Sequence, residues 1–173
     1  MKIFPLILLC MLSLSCNHQK DDYEKMDQNY KTALKLLRDH DVNTALPNGD
    51  FPIHIFIQNS DEDSVVRAIK QEADINSIDG MGRSPLMISI IKKNSTMNKI
   101  LLDNKSDIDA VDKIGNGIPE YCIFSDDIQV IKYLLKNRKY DKARLLKLIS
   151  LSENYKSFKC KAFLSQKLQR AYT

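Results

Sequence analysis

The chain has few of the residues that build reactive sites or interrupt helices. Its 173 residues include no tryptophan, five glycines, five prolines and three histidines, which are His18, His40 and His54. No H-E-x-x-H spacing and no cysteine pair at a metal-ligand spacing occurs, so the sequence does not indicate a zinc site. We therefore expect no catalytic residue, no cofactor and no metal, and we assign the recurring aspartates to turns.

The few glycines follow a regular pattern. Gly49, Gly82 and Gly115 lie 33 residues apart, and several of their neighbours recur with them. The recurring residues are Pro52 and Pro85, Asp74 and Asp107, Asp79 and Asp112, and the series Asn43, Asn76 and Asp109. A fixed period of this length predicts stacked helical units instead of one globular core.

The repeating stretches resemble a known family. Residues 79–87 (DGMGRSPLM), 72–79 (EADINSID) and 49–54 (GDFPIH) are similar to the ankyrin-repeat phrases D-x-x-G-x-T-P-L-H and G-A-D-V-N-A-x-D. The resemblance covers about residues 40 to 140. It implies an all-α ankyrin-repeat solenoid of three central repeats, at 46–78, 79–111 and, in degenerate form, 112–140. A capping helix within 23–45 and basic capping helices within 141–173 complete the predicted solenoid.

Several positions in each unit have an expected role. Apolar residues at spacings of three and four predict two short helices per unit. Gly82 and Gly115 are expected to take a positive φ in a β-turn finger. Ser84 followed by Pro85 predicts a helix start. The resemblance gives His54 a structural role, because ankyrin repeats use an imidazole there to connect the helix start to the neighbouring finger.

The chain also departs from the family pattern. The glycines that usually follow the two helices of a repeat are replaced by other residues, which are Ser60, Lys93, Asp126, Glu72, Lys105 and Arg138. If these sites keep a left-handed backbone, each costs about 1 kcal/mol, so the array should be less stable than an idealised one. In the third unit Pro119 comes one residue late, which leaves the start of that helix open.

Both ends of the array carry cap-like patterns. An apolar stripe including Tyr30, Ala33 and Leu37 predicts a helix that corresponds to the second helix of a degenerate repeat. Near the other end, two apolar clusters predict two helices separated by the polar segment 150–157. Terminal repeats need a polar outer face, and the lysines of these helices supply one.

The first residues resemble a bacterial lipoprotein signal. Lys2 is followed by an apolar run over residues 3–14, which is too short to span a bilayer and predicts a signal peptide at 1–15. Cys16 follows a small residue, so we expect lipidation at Cys16 and a tether over 16–22 that holds the protein at the bacterial envelope. The alternative is ordinary signal-peptidase cleavage, which would leave a soluble periplasmic or secreted protein.

Charge and cysteines leave further alternatives open. Residues 136–173 contain 11 Lys and Arg against two acids, whereas residues 16–135 contain 14 against 20. This basic end is either a solvated cap or a surface for an acidic partner or anionic lipid. A nucleic-acid partner is not expected, because no aromatic platform accompanies the charge. Cys122 is predicted to be a buried core residue, and a disulfide with Cys160 is the less favoured arrangement.

The resemblance also indicates where a partner would bind. Ankyrin repeats contact partners through finger tips and the inner face of their first helices. The matching positions include Ile78, Met81, Arg83, Ile91, Lys92, Val111, Lys113, Ile114 and Phe124. Six of them are apolar, and exposed apolar residues in one stripe are typical of an interface. Alternatively, distorted fingers fold these residues into the core.

The sequence therefore predicts a monomeric, noncatalytic module that binds another protein at the cell envelope. An immunity protein that neutralises a periplasmic toxin and an accessory factor for an envelope enzyme are the alternatives. A neighbouring toxin-like gene would favour the first. Loss of one envelope activity on deletion would favour the second.

Overall fold

The computed structural model describes residues 27–172, and this part of the chain forms nine helices and one isolated β-bridge, between Val111 and Gly117. The predicted signal peptide, Cys16, the tether and the beginning of the N-terminal cap lie outside the described residues. The helices are α1 (Gln28–Arg38), α2 (Pro52–Gln58), α3 (Glu62–Lys70), α4 (Pro85–Ile91), α5 (Ser95–Asp103), α6 (Ile118–Ser125), α7 (Ile128–Asn137), α8 (Lys142–Asn154) and α9 (Phe158–Tyr172). The all-α expectation is confirmed.

The helices pack in pairs that stack into two layers. Within pairs, α2 contacts α3, α4 contacts α5, α6 contacts α7, and α8 contacts α9. The first helices of successive pairs also contact one another, from α2 through α8, and α1 packs on α2 and α3. One continuous core results, in which Phe56, Leu86 and Ile123 are buried along with 25 other apolar residues. The helix α1 covers the N-terminal side of the stack and packs mainly on α2. Its correspondence to the second helix of a degenerate repeat stays a prediction.

Three finger turns precede α2, α4 and α6, and each is built in the same way. The N–H groups of Gly49, Gly82 and Gly115 donate to the carbonyl oxygens of the residues three positions before them, at 2.9, 2.9 and 3.1 Å. All three glycines have φ between 80° and 87°. A side chain at Gly82 would in addition collide with Lys113, whose backbone nitrogen lies 2.9 Å from the position of a Cβ. The predicted roles of Gly82 and Gly115 are confirmed.

The sites that lack the usual glycine keep a left-handed backbone at five of the six positions. The five are Ser60, Glu72, Lys93, Lys105 and Asp126, with φ between 53° and 66°. Arg138 is the exception, because it is extended at φ −135° and pairs its guanidinium with Asp109. Two more left-handed residues, His40 and Lys156, lie in the turns that follow α1 and α8. The expected strain is therefore present everywhere except at Arg138.

The start of α6 and the end of α8 decide two points that the sequence pattern left open or predicted wrongly. The helix α6 begins at Ile118, in register with Pro85, and Pro119 occupies its second position, where no helical N–H bond is lost. The predicted polar separator at 150–157 is wrong in extent, because α8 continues to Asn154. Its polar Ser152 is accommodated inside the helix by donating its hydroxyl to the carbonyl oxygen of Leu148 at 2.8 Å.

Candidate protein-binding surface

All six apolar residues predicted for a binding surface are exposed. On the fingers, Met81 is 62% exposed and Ile114 is 84% exposed, and Ile78 and Val111 are similarly open. At the ends of α4 and α6, Ile91 and Phe124 are exposed as well. The alternative in which distorted fingers fold these residues into the core is therefore wrong. Whether a partner binds them stays a prediction.

The six residues fall into two groups instead of one continuous stripe. We call Ile78, Met81, Val111 and Ile114 the finger group. The other members lie at the far ends of α4 and α6, and a helix of about seven residues is about 10 Å long. Ile88 and Tyr121, which lie between the two groups along the chain, are buried. A partner that contacts both groups must span the length of these helices.

The charged residues predicted for the finger surface are bonded to finger residues. Both Nε and Nη2 of Arg83 lie 2.7 Å from Oδ2 of Asp79. Burial opposes ionisation of Asp79, but hydrogen bonds from Arg83 and Met81 outweigh it and keep the pKa of this carboxyl below its usual value. The Nζ of Lys113 donates to the carbonyl oxygen of Gly80 at 2.7 Å. These contacts stiffen the fingers and leave mainly apolar side chains at the tips.

The ends of the inner helices carry one residue that the sequence did not indicate. The ring of Tyr155, at the end of α8, lies 4.6 Å from the ring of Phe124, and Tyr155 is largely exposed. We call Ile91, Phe124 and Tyr155 the helix-end group. A fourth unit of normal repeat length would have indicated this position, but the left-handed residues Asp126 and Lys156 are 30 residues apart instead of 33.

The finger ends of the units are joined by polar contacts that recur with the period. Oδ1 of Asn43 accepts the N–H of Asp74, and Oδ1 of Asn76 accepts the N–H of Asp107, both at 2.8 Å. In the third unit Asp109 takes this place and pairs with Arg138. The recurring Asn and Asp residues thus connect neighbouring units.

His54 has the structural role that the resemblance implies. It is buried, its Nδ1 accepts the N–H of Phe51 at 3.1 Å, and its Nε2 lies 3.2 Å from the carbonyl oxygen of Ser77. The neutral tautomer with a proton on Nε2 satisfies both contacts. Burial lowers the pKa of His54, and the hydrogen bond to Ser77 offsets part of that effect.

Glu120 occupies the position of His54 in the third unit and makes a different connection. Its Oε2 accepts the N–H of Gly117 at 3.1 Å, and its Oε1 lies 2.7 Å from Nη2 of Arg144 on α8. The start of α6 is thereby capped and connected to the C-terminal helix pair.

Both cysteines of the described residues lie in the core. Cys122 and Cys160 are unbridged and buried, and burial raises the pKa of both thiols, that of Cys160 to about 11. Cys122 is thus a core residue, as predicted. Residues 27–172 contain no group of three or more side chains that could hold a metal ion. None of the helices in this range is long and apolar enough to cross a membrane.

Comparison with known proteins agrees with the geometry. A family model described as "Ankyrin repeats (3 copies)" matches residues 24–112, half of the chain. The match includes α1, in agreement with its assignment as part of a degenerate repeat, and ends at the third finger. No curated protein matches the chain. Ankyrin repeats generally mediate contacts between proteins and are typically noncatalytic.

Proposed function

Since the chain belongs to the ankyrin-repeat family, we propose that it is a noncatalytic module that binds another protein through its finger group. The observation that carries this proposal is the composition of the finger tips. Four large apolar side chains are exposed there, while the nearby Arg83 and Lys113 are bonded within the fold. Transferring one such side chain fully out of water is favourable by about 1.5–3 kcal/mol, and binding retains the part that exceeds the cost of ordering the two partners.

The rigidity of the fingers supports the same proposal. Adjacent fingers two and three are connected by the Lys113 bond to Gly80 and by a backbone bond from Lys113 to Met81. A surface that is already ordered loses less conformational entropy on binding. Exposed apolar residues on an ordered scaffold favour a stable protein partner over an incidental contact.

The proposal is tested by affinity capture from an envelope extract of the source organism, followed by mass spectrometry. We expect the double variant Met81→Asp/Ile114→Asp to lose the partner that the unmodified chain captures. The matched control is Leu146→Asp/Tyr133→Asp, which places the same charges at two exposed apolar residues outside the candidate surface. Retention of the same partner by the finger variant would contradict the proposal.

We also propose that Cys16 anchors the protein at the bacterial envelope. The support is the order of a positive residue, an apolar run, a small residue and a cysteine at the beginning of the chain. The Cys16→Ser variant should move from the membrane fraction to the soluble fraction and fail to incorporate labelled fatty acid. Unchanged fractionation and labelling would contradict this anchoring.

A further inference from the structure

The helix-end group forms a short apolar row across the C-terminal half of the inner layer. Positions 58, 91 and 124 are equivalent in successive units, and Tyr155 continues the row in contact with Phe124. In the first unit the position is occupied by the polar Gln58, whose amide lies 3.4 Å from Asp50. The apolar row therefore begins at Ile91 and ends at Tyr155.

The size of this row suits a short stretch of polypeptide. Neighbouring helices pack about 8–10 Å apart, so two steps from α4 to α8 span about 20 Å. An extended segment of about six residues covers that distance at about 3.3 Å per residue. Because the row lies on the inner helices of a repeat stack, it is part of the concave side that such proteins present to partners.

Lysines border this apolar row. Lys92 follows Ile91, Lys156 follows Tyr155, and Lys93 ends the turn after α4, and all three are exposed. None of these lysines forms an ion pair in the described part of the chain. Charged groups at the rim of an interface determine the charge of the partner more than the strength of binding.

The acids near this border already have hydrogen-bond or ion-pair partners. Oδ1 of Asp126 accepts the Ser157 hydroxyl at 2.8 Å and the Cys160 N–H at 3.1 Å. Asp127 caps the start of α7 and accepts the side-chain amide of Asn98 at 2.9 Å. Glu153, which precedes Tyr155 by two residues, is exposed, and its Oε1 pairs with Nζ of Lys161 at 3.0 Å. The charges left without an ion-pair partner at the border are thus the ammonium groups.

We propose that the helix-end group binds an acidic segment of the protein partner, with one aromatic or aliphatic side chain against Phe124 and Tyr155 and carboxylates facing Lys92 and Lys156. This inference rests on the proposed function, because it concerns the same partner. It adds the chemistry of the segment and assigns Tyr155, which the sequence did not indicate, to the binding surface.

The test uses random peptides displayed on phage and selected on residues 17–173, which contain every described residue, with circular dichroism as the check on folding. We expect the selected peptides to carry an apolar anchor with at least two flanking Asp or Glu. Calorimetry on one synthesised peptide should then show affinity at least about 10-fold weaker for Phe124→Ala, the size expected of a central contact residue. Lys92→Glu/Lys156→Glu should weaken binding several-fold and reduce its salt dependence.

The matched control for the charge change is Lys147→Glu/Lys167→Glu, which reverses two exposed lysines of the C-terminal helices and should leave binding unchanged. Selection of basic peptides, selection of none, or equal loss in the control would overturn the proposal. Binding of the chain to phosphatidylglycerol vesicles that is lost in Lys92→Glu/Lys156→Glu would also overturn it, in favour of a lipid surface. If Met81→Asp/Ile114→Asp loses the captured partner but Phe124→Ala and Lys92→Glu/Lys156→Glu retain it, the proposed function stands and this inference fails.

Discussion

Individual residues in left-handed conformations lower the stability of this array. Five side-chain-bearing residues occupy turn positions where the family usually has glycine. A residue with a Cβ costs about 1–2 kcal/mol in the left-handed region. Replacing it by glycine would regain less than this, because glycine has greater conformational entropy in the unfolded chain. The array therefore retains room for stabilisation at these turn positions.

Lys105 and Arg138 allow a direct test, because they are 33 residues apart and differ in backbone conformation. Lys105 has φ 66°, so Lys105→Gly should raise the free energy of unfolding by about 1 kcal/mol. Arg138 is extended, so Arg138→Gly should lower it through lost packing and added chain entropy. Urea denaturation measures both. Stabilisation by both substitutions would contradict the assignment of strain to Lys105.

His54 should make stability dependent on pH. Burial holds its folded pKa below the ordinary value of 6.5, so below pH 6.5 the unfolded chain binds a proton that the folded chain does not. The free energy of unfolding should consequently fall as pH decreases from 7 toward the folded pKa, by at most about 1.4 kcal/mol per pH unit. Above pH 7 the neutral imidazole contributes its full stabilisation.

Denaturant unfolding between pH 5.5 and 8 measures this contribution, with His54→Gln as the comparison. The variant should be less stable at pH 8, and the difference should narrow on acidification. A constant difference across this range would contradict the account of His54.

The residues that could be predicted from sequence are those whose role depends on local geometry. Glycine at a positive φ, and histidine at a helix start, follow from the period because each unit repeats the same turn. The bonds that hold Arg83 and Lys113 could not be predicted, because they depend on which neighbouring atoms the folded fingers bring within reach. The sequence did not indicate Tyr155, because the fourth unit is shorter than the others and its residues do not fall at the repeat spacing.

At the scale of elements, the third repeat depends on the C-terminal helix pair. Glu120 caps α6 and pairs with Arg144 of α8, and the carboxylate of Glu120 is almost fully buried while Arg144 is one-third exposed. Removing one partner of a buried pair leaves an uncompensated charge, which costs more than the pair itself contributes. The start of α6 should therefore be the helix boundary most sensitive to changes in α8.

A double-mutant cycle tests this coupling. Arg144→Met should lower the free energy of unfolding by about 2 kcal/mol, below the range for fully buried pairs because Arg144 is partly exposed. Adding Glu120→Gln should recover part of the loss, since the amide oxygen still caps Gly117 and no buried charge remains. The exposed pair Lys99 and Asp103 provides the control, where Lys99→Met should change stability by less than about 1 kcal/mol. Strict additivity in the first pair would contradict the coupling.

The helices themselves differed in how well the sequence predicted them. The short repeat helices follow from apolar spacing and from proline and serine at their starts. The sequence pattern underestimates the length of α8, because a polar serine favours a loop assignment. In the structure Ser152 is buried, and its hydroxyl donates to a carbonyl oxygen of the same helix. The in-register start of α6 depends on Glu120 acting as a cap, which spacing of apolar residues does not reveal.

For the whole molecule, a row of polar contacts connects all the units at the end opposite the fingers. It runs from Tyr30 to Asp61, from Glu62 to Asn94, from Asn98 to Asp127, and from Asp126 to Ser157. Burial and the bond to Asp61 raise the pKa of Tyr30 to about 12, so the hydroxyl keeps its proton and this hydrogen bond into the alkaline range. Fingers and helix ends are thus presented by one continuous scaffold, as expected where each unit is stabilised by its neighbours.

The central claim is that the exposed finger group binds a partner protein, and site-specific photo-crosslinking in cells tests this most directly. A photoreactive amino acid at position 114, which is 84% exposed, should give a discrete crosslinked adduct with a partner protein. The same amino acid at position 147, on the exposed face of α8, should not. No adduct from position 114, or the same adduct from both positions, would contradict a binding surface at the fingers.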